Sequence, residues 1–298
     1  MASFIESEAY QELVRASRSS DFARQAQIVE QQIASTQGAE RAFWLHVRLA
    51  RKIGICRTPR ELINLVPEFK DLVSVPPNDL DRVQSIAATA INLYVYGERS
   101  DALAYVLPLL RPHRRALAQV HGIRHNLGLL FVKKRRWHSA YRNLSLCLEL
   151  WKQQPQVEQE SKGGYRYFVH AQRAVAAVAL GRYDEAATSI AGAHAVMAQR
   201  PPGYFQPAFV SLAEAALAHA QGEYQTARNF LQTANVTSKM GAPWLTFDFL
   251  LMAARIARSE GNQNGFTHFC QQARALCAEY DMPLSAAAVE AVANGAEY

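Results

Sequence analysis

Residues 121–151 read HGIRHNLGLLFVKKRRWHSAYRNLSLCLELW. Apolar positions recur at intervals of three and four in Leu127, Leu130 and Phe131, then in Ala140, Leu144, Cys147, Leu148 and Trp151. That spacing is the mark of helices with one buried face. The run Lys133-Lys134-Arg135-Arg136 interrupts it and predicts a short basic turn between two helices. Small residues stand where the two helices would cross, Gly128 on the first and Ala140 on the second. Trp137 opens the second helix and can fold back on the first.

The same punctuation recurs outward from this stretch. Turn positions fall at Gly54, Gly97, Arg135, Gly181, Gly222 and Gly261, spaced by 43, 38, 46, 41 and 39 residues. Gly181-Arg182-Tyr183-Asp184-Glu185-Ala186 returns as Gly222-Glu223-Tyr224-Gln225-Thr226-Ala227, and in degenerate form from Gly261 to Phe266. Helix-start signals agree with this division. Asp21 precedes the stripe Phe22, Ala26, Val29 and Ile33, and Thr58-Pro59-Arg60-Glu61 sets a cap, a first-turn proline and an acid in order. No sustained period-two alternation competes, so the expected class is all-α.

Leu127-Gly128, Phe131, Trp137 and Ala140 resemble the tetratricopeptide repeat (TPR), and Asn126 just before Leu-Gly fits the same pattern. The family's Trp three residues before the Leu is Arg124 here. A period near 40 is longer than the usual one and is similar to the long-repeat TPR variants of bacterial regulators. The resemblance implies a right-handed superhelical solenoid of about seven antiparallel helical hairpins, closed by a C-terminal capping helix near Leu284 to Ala293. It implies one array over residues 1–298. The polar stretch 153–164, ending in Gly163-Gly164, is expected to be a flexible joint between an N-terminal half (1–152) and a C-terminal half (165–298).

Composition narrows the function classes. Hydrophobic residues make up 49% of the 298 and charged ones 19%, which is the balance of a folded chain. No window is long and apolar enough for a membrane span, and the start MASFIESEAY has no signal-like apolar segment. The four cysteines (56, 147, 270 and 277) form no CxxC, so reduced core thiols and a cytoplasmic location are expected. His121 and His125 have a zinc-compatible spacing but no third ligand, and no phosphate-binding loop, dinucleotide fingerprint or nucleophile elbow occurs. No enzymatic activity, metal or cofactor is expected.

In a TPR array the first helix of each pair lines the inner groove. The resemblance then assigns to that groove Arg41, Trp44, Arg48, Arg51 and Lys52 from the helix at 39–53. From the next first helices it assigns His125, Asn126 and Lys133, then Phe168 and Gln172. Phe209 and His219 follow, then Arg255 and Arg258. Basic ends around an aromatic middle suit a protein or peptide partner, including an acidic one, in an adaptor or regulatory role. Sensing of a signalling peptide is one alternative. Nucleic-acid binding is another, because residues 102–148 contain no Asp or Glu and nine Lys or Arg, with the basic patch Lys133, Lys134, Arg135 and Arg136 at its centre. The oligomeric state is not written in the sequence.

Overall fold

The computed structural model describes residues 7–18, 21–55, 64, 66–74, 80–98, 103–104, 108, 111–154, 166–199, 206–238 and 243–296. Among them are fifteen helices and no strand. The chain divides into two compact units. The first comprises Met1–Cys56, Glu61–Tyr94 and Arg99–Leu117; the second comprises Arg57–Arg60, Val95–Glu98 and Ala118–Tyr298.

The first unit holds α1 (Glu8–Arg18), α2 (Phe22–Ser35), α3 (Gly38–Ile55), α4 (Val66–Ser74), most of α5 (Leu80–Gly97) and the short α6 (Arg114–Leu117). As its sequence predicts, α2 starts at Asp21, whose side chain accepts from the Arg24 amide at 2.9 Å. Pro67 lies in the first turn of α4, where its missing N–H costs nothing, rather than kinking a longer helix. The start signal at 58–61 and the helix expected from Asp101 lie outside the described residues or nearly so. The core is built from Ile28, Val29, Trp44, Leu49, Phe69, Leu72, Ile86 and Leu93, all essentially inaccessible.

His46 is drawn into this core, its Nδ1 3.0 Å from Thr89 Oγ1. Burial pushes its pKa from 6.5 down to about 4. The unfolded chain therefore binds a proton that the folded one refuses. The stability His46 contributes is complete above pH 6.5 and is lost as the pH falls toward 4. A proton-NMR titration should show no change in the His46 ring between neutral pH and about pH 5. A midpoint near the ordinary histidine value would contradict the burial.

The second unit is a run of four helical hairpins. They are α7 (His121–Lys133) with α8 (Trp137–Lys152), α9 (Arg166–Ala179) with α10 (Tyr183–Gln199), α11 (Gln206–Ala220) with α12 (Tyr224–Ser238), and α13 (Pro243–Ser259) with α14 (Gln263–Tyr280). A last helix, α15 (Pro283–Ala293), follows. Within each pair the connection is three residues long, so the second helix must run back along the first.

The turns repeat one device. Arg135, Gly181, Gly222 and Gly261 all have positive φ, from 53° to 80°. The amide after each reaches back into the helix: Arg136 to Phe131 O at 2.8 Å, Arg182 to Ala177 O at 2.9 Å, Glu223 to Ala218 O at 2.9 Å and Asn262 to Ala257 O at 2.8 Å. This is the left-handed cap that glycine favours, with an arginine in one of the four places. The ideal spacing of the turn residues is thus a backbone requirement. Tyr183 of the turn motif is 39% exposed.

The seam between α7 and α8 is as tight as the small residues imply. Ala140 is fully buried, and a Cβ built on Gly128 would stand 2.5 Å from Leu144 Cδ2 and 2.6 Å from its Cγ. Leu144 is itself completely buried, so the whole isobutyl group would have to move. Helix propensity alone favours Gly128→Ala by roughly 1 kcal/mol. Overpacking opposes it by about 1–3 kcal/mol. We expect net destabilisation, read as a lower urea midpoint at unchanged slope; a higher midpoint would show that the seam can open freely.

The joint expected at 153–164 lies largely outside the described residues, but α8 and α9 on either side of it pack against each other in the same unit. The division between units comes earlier, near Leu117. Cys147, Cys270 and Cys277 are free and buried, and Cys56 lies outside the described residues.

Candidate functional site

The first helices of the four hairpins of the second unit share one cavity of about 180 Å³. Helical spacing selects its walls. On α9 the lining residues are Phe168, Gln172 and Val175; on α11 they are Phe209, Leu212 and Ala216. On α13 the set extends over three turns, through Trp244, Asp248, Leu251 and Arg255. Helix α7 adds Leu129, Val132 and Lys133, and Tyr96 enters from the last turn of α5. Among the second helices only α8 contributes, with Trp137 at its start.

Aromatic rings run from hairpin to hairpin along this wall. Phe168 meets Phe209 edge-on at 4.3 Å, Phe209 stacks on Trp244 at 5.6 Å with planes 14° apart, and Tyr96 tilts onto Trp244 at 5.3 Å. These are the offset and edge arrangements that ring quadrupoles favour.

The remaining wall is α15, which packs on α13 and α14 and also reaches Lys133 of α7. Leu284, Ser285 and Ala288 face the cavity. The helix is held there by Glu98, a left-handed residue (φ 54°) just beyond α5 whose side chain is completely buried. Its carboxylate accepts from the Leu284 amide at 2.6 Å, from the Ser285 amide at 3.1 Å and from the Ser285 hydroxyl. It also pairs with Lys133 Nζ at 2.6 Å, and Lys133 donates to Ser285 Oγ at 2.9 Å. A carboxylate on exposed amides of a helix start is favourable in hydrogen bonding and in dipole alike. Arg135 donates to Ala288 O at 3.3 Å and Arg258 to Val292 O at 3.0 Å, which fixes the rest of α15.

The polar groups on the cavity wall differ in how they are employed. Lys133 and Arg135 are engaged as above, and Arg255 has partners within the protein. Asp248, Gln172 and the Tyr96 hydroxyl make no hydrogen bond among the described residues. Asp248 is exposed to water, with protein packed around the rest of it. Burial pushes its carboxyl up to about 6, against the pull of Lys133 and Arg255, and Glu98 adds to the rise. Burial likewise pushes the Tyr96 hydroxyl upward, with Tyr167 and Asp248 contributing.

The groove residues expected from sequence are therefore scattered. Lys133, Phe168, Gln172, Phe209 and Arg255 come together on the cavity wall. His219 and Arg258 border a separate hollow, His219 Nε2 standing 2.8 Å from Ser259 Oγ. Asn126 is buried and donates to Gly122 O of its own helix at 2.9 Å, so it cannot clamp a ligand. His125 packs edge-on against Phe168, 5.7 Å away, outside the cavity lining.

The candidates on α3 belong to the other unit. Arg41 is exposed. Trp44 is a core residue, 1% exposed and edge-on to Phe43, and is no ligand surface. Arg48 is bonded to Glu30 and Glu68, and Lys52 to Glu68 at 2.6 Å. The side chain of Arg51 lies outside the described residues. The basic patch does not form one surface. Lys133 and Arg135 turn toward α15, whereas Lys134 and Arg136 are exposed, Arg136 lying over the Phe131 ring at 5.6 Å.

Tyr96, Glu98, Trp244 and Ser285 were not found by sequence reasoning. Trp244 lies one turn before Asp248 on the same stripe, and extending the three-four spacing backward would have found it. No local signal marks Glu98 or Ser285. No protein-family model matches this chain, and no curated protein matches it either. No helix among the described residues is long and apolar enough to cross a membrane.

Proposed function

We propose that the chain is a non-enzymatic interaction module of the long-repeat TPR kind, a right-handed superhelix of hairpins whose inner face holds a protein or peptide segment. Its role is that of an adaptor or regulator, and sensing of a signalling peptide is one form this can take. The observation that supports the reading most is the shared cavity. Four successive first helices bring Phe168, Phe209 and Trp244 to one wall, beside polar groups that make no hydrogen bond among the described residues. Apolar anchors with a few placed polar groups are the usual make-up of a recognition site. Nucleic-acid binding has less support, because the basic patch is divided between α15 and solvent.

The test is site-specific photocross-linking in cells. A benzophenone side chain replaces Phe209, facing the cavity, or Arg228, exposed on α12. The expected result is a polypeptide cross-linked from position 209 and none from position 228. Cross-linking from 228 alone, or to nucleic acid, would overturn the reading.

A further inference from the structure

We infer that the cavity of the second unit takes an aromatic group bearing an amine, the ring among Phe209, Trp244 and Tyr96 and the ammonium at Asp248. The inference rests on the inner-face reading above and adds the chemistry of the guest.

Size is the first argument. A cavity of about 150 Å³ can hold a benzene-sized molecule, and this one offers about 180 Å³. The second argument is the wall. A ring can join the existing offset and edge pairs, and a cation gains over an indole face.

Charge decides the polar end. Four charged side chains line the cavity: Lys133, Arg135, Asp248 and Arg255. Lys133 is neutralised by Glu98 and bonded to Ser285, Arg135 donates to Ala288 O, and Arg255 has partners, although its buried Nε makes no hydrogen bond among the described residues. Asp248 is the acid among the four, and it makes no hydrogen bond among the described residues. A guest carboxylate would be repelled at Asp248. An ammonium gains a charge-assisted bond to Asp248, with Gln172 as a further acceptor within the same cavity.

The groups facing Asp248 are Lys133 of α7, Arg255 of its own helix, and Glu98 and Tyr96 at the end of α5. Burial outweighs the pull of the two cations, Glu98 adds to the rise, and the carboxyl is pushed up to about 6. Amine binding is therefore strong above that value and fades as the carboxyl takes a proton below it. A free arylalkylamine and a peptide with an aromatic first residue share this chemistry, since both place an ammonium a few bonds from a ring.

The experiment uses the full-length protein and three soluble probes of one shape: phenethylamine, 2-phenylethanol and phenylacetate. Ligand-observed NMR should show phenethylamine binding best, and affinity should fall about tenfold between pH 7.5 and pH 5. Asp248→Asn should weaken phenethylamine about tenfold while leaving 2-phenylethanol unchanged. The same variant should be at least as heat-stable as the parent, because the carboxylate makes no hydrogen bond among the described residues and burial disfavours its charge, and this separates a lost site from a lost fold.

Equal binding of amine and alcohol, preference for phenylacetate, or an amine affinity indifferent to Asp248→Asn would each overturn the inference. So would failure of all three probes to bind. Two short peptides beginning with Phe, one with a free and one with an acetylated N-terminus, distinguish the sources. Tighter binding of the free peptide than of phenethylamine assigns the site to a chain end, and weaker binding assigns it to a small amine. A polypeptide cross-linked from position 209 without any amine binding would sink the guest chemistry and leave the inner-face reading standing. Amine binding without such a cross-link would do the reverse.

Discussion

Replacing Glu98 with alanine should destabilise the second unit by roughly 3–5 kcal/mol. Few single changes are this costly, and the reason is that one side chain serves four donors. Its loss leaves the Leu284 and Ser285 amides and the Ser285 hydroxyl without an acceptor, and leaves the Lys133 ammonium, 19% exposed, without its counter-charge. The left-handed backbone at Glu98 sharpens the argument, since a non-glycine residue there carries a conformational penalty of about 1–2 kcal/mol. The acid's contacts must outweigh that penalty. Urea unfolding measures the loss, and amide exchange at Leu284 and Ser285 locates it. Glu98→Gln keeps an acceptor and should fall between alanine and the parent. Adding Lys133→Met to Glu98→Ala should recover only part of the loss, because the α15 amides stay orphaned. A loss under about 1 kcal/mol would mean that the carboxylate is solvated after all.

Trp44→Ala should cost the first unit about 3–5 kcal/mol, the range for deleting a fully buried large aromatic. Trp44 is 1% exposed and packs with Phe43 at 5.3 Å, while Leu45 and Leu49 on the same helix are also buried. The void left by an indole is too large for its neighbours to fill. The outcome separates two views of the same residue. A groove anchor would leave the fold intact and weaken a ligand. A core residue lowers the melting temperature and exposes the helices of the first unit to protease, with those of the second unit still protected. The second pattern is expected, and a stable, protease-resistant Trp44→Ala variant would contradict it.

How far the sequence carries depends on the range over which each feature is encoded. The hairpins were legible because their turns are local. A left-handed residue must end each first helix, and Gly181, Gly222 and Gly261 announce it, with Arg135 betrayed by the same spacing. Phe168 and Gln172 were legible because one turn of helix places them on one face. The α3 assignments went astray for a related reason. Arg41, Trp44 and Arg48 share a stripe in sequence, yet a helix packed on several sides buries part of that stripe and exposes the rest. Spacing alone does not say where the boundary falls. The closing wall of the cavity was beyond reach. Glu98 and Ser285 lie 187 residues apart, and nothing in either neighbourhood anticipates the other.

That long separation changes how the second unit should come apart. A stack of hairpins in which each touches only its neighbours behaves as a one-dimensional array, able to fray from either end without disturbing the far one. The clasp joins what would be two free ends. Unwinding α15 strands a buried carboxylate beside α7, and loosening α7 takes Lys133, its last residue, away from α15. Fraying at either end thus costs something at both, and the unit should melt in one cooperative step, as a closed band breaks rather than unravels. The same clasp demands a long loop closure, so the unit should fold more slowly than an open stack of equal length.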